Sequence, residues 1–437
     1  MTRRSSQIRL QGRREFLKHS AAGSLAIGFG VWSSRSLAES KSSNEKLNIA
    51  CVASARQARF SINNLMSQNL VAFADVDDNF LGQAAKDFPA AKTYNDFRKM
   101  LEQPDIDAVM IATPDHTHAP ATLAAIKLGK HVYCEKPLTH TVHEARIVAK
   151  AAADAKVATQ MGTQIHSDPN YRRVVEIIRS GAIGKVKEVF TWAGREWTAQ
   201  GRPQDAPPIP STLHWDLWLG PAPERPYSAA YHPVNWRKYW DFGGGNLADM
   251  ACHHMDLPFW ALGLRHPQLI EAEGPAFDPE GCPSGLKVTY KYATVGDQSE
   301  MTLTWFDGDR IPAKINDIPT GGSGNIFVGE KGMLRADYST WKLYPESDFV
   351  GYKPPEQTIP NSIGHHNEWI AACKGGPPAL CNFDYAGALT EAVLLGGVAY
   401  RSGKPIAWDA AAFKIPGNPE AEKWLSKEYR KGWELPV

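Results

Sequence analysis

The chain has 437 residues, of which 22% are charged and 43% hydrophobic, and its formal net charge is +1. This balance is typical of a globular protein, and the length suggests two or three domains. The near-neutral charge gives no reason to expect a nucleic acid partner, and we expect none.

The first 38 residues have the features of an export signal. A twin-arginine pattern at 13–18 (RREFLK) precedes a weakly hydrophobic run at 21–32, and residues 36–38 (SLA) offer a cleavage site. The apolar run is too short to span a bilayer. We therefore expect a twin-arginine signal peptide at 1–38, a linker at 39–45 and export, for example to the periplasm, without membrane insertion. The alternative is a basic tail.

Apolar runs at 46–52 and 70–75 predict the first two strands of a nucleotide-binding domain over residues 46–165. A dinucleotide-binding loop between such strands usually reads Gly-x-Gly-x-x-Gly, but here Ala53, Ala55 and Ala58 hold the glycine positions. An alanine at positive φ costs about 1–2 kcal/mol. Either the loop takes another path or cofactor affinity is reduced.

Charged residues near this loop are candidates for cofactor contacts. Arg56 and Arg59 would contact phosphate directly or simply be solvated, and the sequence leaves both readings open. Asp75 ends the second strand, roughly 20 residues beyond the loop, where an acidic residue binds the adenine ribose and favours NAD over NADP. The alternative for Asp75 is a turn or helix cap. Residues 93–100 are predicted as a loop and a short helix.

A strand–helix–strand unit follows at 104–138. Residues 107–113 form an apolar run, 119–128 have helical spacing, and 131–134 (HVYC) form a second apolar run. Such a unit implies a parallel sheet, whose ligands lie beyond the carboxyl ends of its strands. A helix at 140–155 and a strand at 158–162 complete this domain.

Two motifs in this unit resemble the Gfo/Idh/MocA family of oxidoreductases: Thr-Pro-Asp-His-Thr-His at 113–118 and Glu-Lys-Pro at 135–137. The resemblance implies an α/β Rossmann-type domain that binds NAD, with NADP the less favoured cofactor. It implies that Lys136 lies beside the nicotinamide and reaches the substrate, and that the bond from Lys136 to Pro137 is often cis. The cofactor residues then include Thr113, Pro114, His118, Glu135 and Lys136. The plain alternative is that Lys136 is an ordinary surface lysine.

The rest of the chain, 166–437, predicts an α+β domain with a mostly antiparallel open sheet. A helix at 171–180 precedes predicted strands at 185–192, 286–292, 299–306, 325–329 and 333–336, and residues 385–400 form a strongly apolar helix. Alternation in KVTYKY and EMTLTWF supports a sheet with one face packed on helices. By family analogy, the open face favours a homo-oligomer.

A second candidate cluster lies at 235–262. By position, Asp249 and His253 match the family's Asp-x-x-x-His pair, and the four-residue spacing places both on one helix face. Histidine can accept a hydroxyl proton while hydride leaves the same carbon, and a nearby carboxylate fixes its tautomer. We therefore expect His253 to be the general base, with Asp249 behind it. The alternative is a histidine satisfied within the core.

Several other side chains are candidates for the substrate cleft: Trp192, Arg195, Trp236, Arg237, Tyr239 and His366. The histidine pairs lack the spacing of a recognised zinc motif, so we expect no catalytic metal. The six cysteines show no paired framework, and Cys51 and Cys134 lie in predicted buried strands.

These observations together predict an exported oxidoreductase that transfers hydride between NAD and a secondary alcohol of a sugar or polyol. A variant of this activity is redox-assisted glycoside cleavage. The alternative from another class is a carbohydrate-binding or scaffold protein that keeps the fold without its cofactor, which the alanine loop would explain.

Overall fold

A computed structural model describes residues 45–294 and 300–436. The predicted signal peptide and nearly all of the predicted linker therefore lie outside the described residues. In the described part of the chain, no helix is both long enough and apolar enough to cross a membrane.

The first sheet has six parallel strands in the order β3-β2-β1-β4-β5-β6. Their bounds are Asn48–Val52 (β1), Asn69–Ala74 (β2), Lys92–Tyr94 (β3), Ala108–Ile111 (β4), His131–Cys134 (β5) and Thr159–Met161 (β6). The central strands β4 and β5 are buried along their whole length, as expected for strands covered on both faces. The predicted Rossmann-type sheet is confirmed.

Five helices connect these strands. They are Gln57–Leu65 (α1), Asp78–Asp87 (α2), Phe97–Met100 (α3), Asp115–Lys127 (α4) and Val142–Ala155 (α5). Local chemistry fixes several of their ends: Asp77 caps α2, and Thr141 forms a capping box with Glu144 at the start of α5. The prediction for 93–100 was wrong at its start, because β3 runs through Tyr94 and pairs with β2.

The second sheet has eight strands in the order β15-β14-β13-β7-β10-β9-β8-β16. Its strands are Val186–Ala193 (β7), Leu269–Glu273 (β8), Lys287–Tyr292 (β9), Met301–Asp307 (β10), Ser323–Gly329 (β13), Met333–Ala336 (β14), Trp341–Tyr344 (β15) and Ile406–Ala407 (β16), and a separate hairpin joins Lys314–Ile315 (β11) to Ile318–Pro319 (β12). Only the β7–β10 pair of the large sheet is parallel. The mostly antiparallel second domain is confirmed.

The remaining helices are Pro169–Arg179 (α6), Trp215–Leu219 (α7), Gly245–His254 (α8), Asp256–Leu262 (α9), His365–Cys373 (α10), Phe383–Ser402 (α11) and Pro419–Glu422 (α12), with short 3₁₀ turns at Gln164–Ser167, Asn235–Lys238, Gly308–Arg310 and Glu346–Phe349. Helix α11 packs against α5, α8 and β8, so it joins the two parts of the chain.

Helix α10 crosses the domain boundary that the sequence suggested. Its Trp369 is fully buried in the same core cluster as Ile49 and Phe73 of the first sheet. A segment late in the chain therefore completes the core of the first domain. The division at residues 165 and 166 stays a prediction about the chain's organisation.

Candidate functional site

A cavity of about 750 Å³ lies at the carboxyl ends of β1, β2, β4 and β5. Helix α8 of the second domain forms its opposite wall. Its lining includes most of the sequence-predicted site residues, namely Ala53, Ala55, Arg56, Asp75, Thr113, Pro114, His118, Glu135, Lys136, Trp236, Arg237, Asp249 and His253.

The alanine loop keeps a tight turn despite lacking glycine. Ala53 has φ = +80°, and its N–H donates to the carbonyl of Ala74 at 2.8 Å. Ala53 and Ala55 line the cavity, whereas Ala58 is fully buried in α1 and packs in the core. The first alanine thus accepts the backbone strain of about 1–2 kcal/mol, and the third serves close helix–strand packing.

The two arginines near the loop have different surroundings. Arg56 has φ = +55° and lines the cavity immediately before α1 begins at Gln57. Arg59 instead pairs with Asp87 at 2.5 Å on the outside of the domain. Only Arg56 is therefore placed to contact a bound phosphate.

Asp75 lies at the end of β2 and holds the loop. It accepts hydrogen bonds from the Ser54 N–H at 2.9 Å, the Ser54 hydroxyl at 2.8 Å and the Asp77 N–H at 3.1 Å. Burial raises the pKa of its carboxyl. It also lines the cavity, so its predicted ribose contact stays compatible with its position.

His118 braces the ends of β4 and β5. Its Nδ1 lies 2.7 Å from the carbonyl of Pro137 and its Nε2 lies 2.9 Å from the carbonyl of Thr113. Burial lowers the pKa of His118 to about 4, so the ring is neutral at neutral pH and donates to one carbonyl at a time. Both nitrogens face the backbone, which makes His118 a support for the cavity wall.

Glu135 is buried at the end of β5. It accepts a hydrogen bond from the Ser61 hydroxyl at 2.9 Å and one from the Gln164 amide at 3.3 Å. A Cβ at Gly162 would lie 2.4 Å from Glu135 Oε2, so glycine is required there for this approach. Burial raises the pKa of Glu135.

Lys136 and Asp249, which are 113 residues apart in sequence, form the centre of the site. The Lys136 ammonium donates to Asp249 Oδ1 at 2.6 Å and to the Asp249 carbonyl at 2.7 Å. Arg237 Nε donates to the same carboxylate at 3.1 Å, and the indole N–H of Trp197 donates to it at 2.7 Å. The bond from Lys136 to Pro137 is cis.

This network shows which groups the Asp249 carboxylate binds. Although burial raises the pKa of this carboxyl, the charges of Lys136 and Arg237 lower it well below its usual range. Asp249 is therefore a carboxylate that anchors two cations. No hydrogen bond joins it to His253, because its oxygens already accept from Lys136, Arg237 and Trp197.

His253 lies one turn after Asp249 on α8 and faces the same cavity. Its ring nitrogens have no hydrogen-bond partner within residues 45–294 and 300–436. Burial, with the nearby Lys136 charge, holds the pKa of His253 well below its usual range. The ring is thus neutral and free to accept a proton from a bound hydroxyl.

Asp115 is a cavity residue that the sequence did not single out. It occupies the first turn of α4, is 4% exposed and lines the cavity. Its carboxylate has neither a hydrogen bond nor an ion pair to any residue the structure describes. Burial raises its pKa to about 7, although Arg237 and Lys136 oppose that shift. A carboxyl group of this kind can both take and give a proton near neutral pH.

Two family models match most of the chain. Residues 25–163 match "Oxidoreductase family, NAD-binding Rossmann fold", and residues 182–349 match "Oxidoreductase family, C-terminal alpha/beta domain", the two domains of Gfo/Idh/MocA proteins. The chain belongs to the Gfo/Idh/MocA oxidoreductase family. Its first domain is the family's NAD-binding domain.

The named relatives match only part of the chain. Levoglucosan dehydrogenase of Pseudarthrobacter phenanthrenivorans is 27% identical over 44% of this chain and 42% of its own length. The 1,5-anhydro-D-fructose reductase of Ensifer adhaerens is 36% identical over 42% of this chain and 48% of its own length. The chain therefore spans less than half the length of these two curated relatives.

A solved structure extends the likeness to both domains. The WlbA dehydrogenase of Bordetella pertussis, in complex with NADH and UDP-GlcNAcA, aligns with a TM-score of 0.60 at 18% identity. The alignment covers 84% of this chain and 98% of that chain. At this identity the likeness shows the fold.

Some predicted cleft residues do not line the cavity of this family member. Tyr239 and Trp192 pack in the core clusters beside it, and the Trp192 indole donates to the carbonyl of Gly321 at 2.8 Å. His366 lies on α10, where it bonds to Ser61 and stacks on Tyr133. Tertiary packing turns each of these three side chains into a core, and a substrate contact by any of them stays a prediction. Arg195 does line the cavity.

Besides Asp115, sequence reasoning missed Trp197, Tyr338 and Gln164, which also line the cavity. Trp197 lies in an irregular segment after β7, and Tyr338 lies in a turn after β14, where its hydroxyl is 2.9 Å from His254 Nε2. Neither segment has a periodic pattern that would have identified these residues. Only Asp115, inside the Thr-Pro-Asp-His-Thr-His motif, had a sequence signal.

One buried group in the described chain has metal-ligand chemistry: His166, Asp256 and Cys381, all outside the cavity lining. His166 Nδ1 already bonds to Asp256 at 2.8 Å, and the Tyr385 hydroxyl donates to the same carboxylate at 2.7 Å. Burial raises the pKa of the Cys381 thiol well above its usual value. The group forms a hydrogen-bonded core network. All six cysteines are free and buried.

Proposed function

We propose that this protein is an exported, NAD-dependent oxidoreductase that transfers hydride between the nicotinamide and a secondary alcohol of a sugar or polyol. The observation that carries the proposal is a single cavity that contains the turn at Ala53, the carboxylate of Asp75 and the proton-handling pair Lys136 and His253. A hydride transferase needs nucleotide recognition and proton transfer in one enclosed space.

The residues at one end of the cavity fit a dinucleotide. The loop from Ala53 to Arg56 leads into the amino end of α1, where the positive end of the helix dipole and the Arg56 cation suit a pyrophosphate. The buried carboxylate of Asp75 suits a ribose hydroxyl and would repel a 2′-phosphate, which favours NAD over NADP. When bound, NAD supplies the hydride acceptor.

At the other end, His253 and Lys136 serve the reacting alcohol. His253, neutral and without a partner in the described chain, accepts the hydroxyl proton while hydride leaves the same carbon. The Lys136 ammonium stabilises the negative charge that develops on the oxygen. Asp249 holds Lys136 in position through two contacts.

The cleft and the relatives both support a sugar or polyol as the substrate class. Levoglucosan and 1,5-anhydro-D-fructose, which appear in relatives' names, are both sugar derivatives. The cleft has indoles at Trp197 and Trp236 and a guanidinium at Arg237, which lies 4.1 Å from the Trp236 ring centre. Aromatic faces and planar donors of this kind suit a hydroxylated ring.

The test of this proposal is steady-state oxidation of a sugar and polyol panel with NAD, followed by NADH absorbance. His253→Ala should lower kcat by about 10²–10⁴-fold while NAD affinity, measured by titration calorimetry, stays nearly unchanged. Wild-type turnover by His253→Ala would show that another group accepts the proton.

Asp115 favours a second candidate, redox-assisted glycoside cleavage by the same site. Oxidation of a sugar hydroxyl to a ketone acidifies the neighbouring C–H bond. Asp115 would remove that proton and return it to the departing glycosidic oxygen, so that the C–O bond breaks by elimination; water then adds to the unsaturated ketone, and the hydride returns. Release of the aglycone from a nitrophenyl glycoside by the wild-type enzyme, but not by Asp115→Asn, would support this reaction.

The contrasting function is a carbohydrate-binding protein that has lost its cofactor. NAD binding distinguishes the two functions, and its measurement needs no known substrate. Denaturing the purified protein should release NAD, or titration with NAD should show saturable binding. If neither occurs, the hydride-transfer proposal fails and the carbohydrate-binding function takes its place.

Export and assembly complete the proposal. The twin-arginine pattern at 13–18 supports export, and Arg13→Lys with Arg14→Lys should leave an uncleaved precursor in the cytoplasm. Normal export of that variant would remove the targeting claim. We also propose a homo-oligomer, supported by the partly exposed apolar side chains on one face of the second sheet.

A further inference from the structure

A second cavity, of about 300 Å³, lies between helices α8 and α11 and the segment at 423–428. It shares no lining residue with the main cavity. Leu247, Val393, Leu394 and Val398 supply an apolar wall. Helix α8 separates the two cavities, since Leu247 faces this one and His253 faces the other.

Arg401, near the end of α11, is the unusual residue of this cavity. Its guanidinium lies 3.6 Å from the ring centre of Trp424 and 5.0 Å from that of Trp240. No residue in the described ranges accepts a hydrogen bond from it or pairs with its charge, and its Nε is buried without a partner. The N–H groups of this guanidinium therefore have no protein acceptor among the described residues.

The other buried charges at this cavity are already compensated. Lys427 pairs with Glu144 at 2.9 Å, and Asp241 pairs with Arg225 at 2.8 Å. Burial lowers the pKa of Arg401 to about 10, so the side chain stays cationic at neutral pH; the charge of Asp241 acts on it, but no salt bridge joins the two side chains. A largely desolvated guanidinium that lacks a hydrogen-bond acceptor gains from a carboxylate partner.

We propose that this second cavity binds a small carboxylate with a compact apolar body, whose two oxygens accept from Arg401. A planar guanidinium matches a carboxylate with two parallel hydrogen bonds. The apolar wall covers the rest of the ligand. Phosphate shares the anion chemistry, but its charge calls for more donors than one arginine, and the wall offers it nothing.

The experiment is titration calorimetry of the full-length protein with benzoate, benzamide and inorganic phosphate as probes. We expect benzoate to bind more tightly than the neutral isostere benzamide and more tightly than phosphate. Arg401→Met, which keeps the aliphatic stem, should weaken benzoate by about ten- to a hundredfold, since hydrogen bonds to a charged group are lost. NAD affinity should be unchanged.

One control variant and one further cavity variant test whether Arg401 and the cavity themselves bind benzoate. Arg265→Met removes an exposed arginine that pairs with Asp384 and should leave benzoate affinity unaltered. Leu394→Trp, which fills the cavity and keeps Arg401, should abolish benzoate binding and serves if Arg401→Met does not fold. Undiminished benzoate binding in these two cavity variants, tighter binding of phosphate than benzoate, or no binding of any probe would each overturn the proposal.

Discussion

At the scale of single residues, the site depends on which partner each charge finds. Asp249 was expected to orient His253, yet its carboxylate binds Lys136 and Arg237. The one buried carboxylate fixes the positions of both the lysine and the arginine. His253 is thereby left free to exchange a proton with substrate.

The pairing of Lys136 with Asp249 can be measured by a double-mutant cycle on kcat/KM. Lys136→Met and Asp249→Asn should each lower kcat/KM strongly, because each leaves a buried group without its partner. The double variant should lose less than the sum, with a coupling free energy of about 1–3 kcal/mol. Additive losses would show that the two residues act independently.

Asp249 also predicts a dependence of stability on acid. Because its folded pKa is depressed, its contribution is present above the unfolded value of about 3.9 and is lost as pH falls toward the folded value. Asp249→Asn should remove this part of the acid sensitivity in urea denaturation. Asp96→Asn, at an exposed pair with Arg98, is the matched control.

Asp115 predicts a pH dependence of stability opposite in sign to that of Asp249. Its folded pKa is raised to about 7, so stability falls as pH rises from about 4, the unfolded value, to about 7 and then levels off. Asp115→Asn should therefore stabilise the protein at pH 8 relative to wild type and flatten the profile below that. Urea denaturation at pH 5 and pH 8 measures this; an equal change at both would contradict the assignment.

At the scale of elements, the loop between β1 and α1 shows how one motif separates into two roles. Its first alanine carries a positive φ, while the third packs inside a helix. A glycine would relieve strain at the first position, but at the third it would weaken the helix and its packing.

Glycine substitutions at Ala53 and Ala58 should therefore have different effects. Ala53→Gly should raise stability by no more than about 1 kcal/mol, since relief of strain is partly offset by unfolded-state entropy, and should tighten or preserve NAD binding. Ala58→Gly should lower stability by about 1 kcal/mol. Thermal unfolding and NAD titration of both variants decide this. Weaker NAD binding by Ala53→Gly would mean that the loop needs its alanine.

At the scale of the whole molecule, one face of the second sheet carries no helix from residues 45–294 and 300–436, although Ile315 and Ile318 of the β11–β12 hairpin cover part of it. Phe190, Phe306, Val328, Met333 and Tyr344 share this face and are partly exposed, while the helices pack on the other side. An apolar face of this kind favours association with a second copy.

This surface predicts the oligomeric state. Phe190→Glu with Val328→Glu should convert the homo-oligomer to a monomer in light scattering, because two buried carboxylates would face each other across the interface. Phe60→Glu, at a side chain that is 48% exposed in the first domain, should leave the mass unchanged. A wild-type protein that is monomeric would remove the proposal.

The sequence by itself determined the local elements and the family motifs. A short, continuously apolar run such as HVYC at 131–134 predicts a strand that is buried on both faces, which is what the structure shows. The Glu-Lys-Pro motif follows directly at the end of that strand. The sequence did not predict short strands such as β3 and β16, because they become strands by pairing with a neighbouring strand and have no apolar pattern of their own.

Only the tertiary structure decided which side chains meet. It brought Lys136 to Asp249 across 113 residues and turned His366 into the core of the first domain. It left the side chains of Asp115 and Arg401 without a hydrogen bond or an ion pair to any described residue. Hydrophobic periodicity reports which face of an element is buried, but the partner of a charge depends on the packing of elements distant in sequence. Electrostatic roles therefore follow from the fold, whereas strands and motifs follow from local sequence.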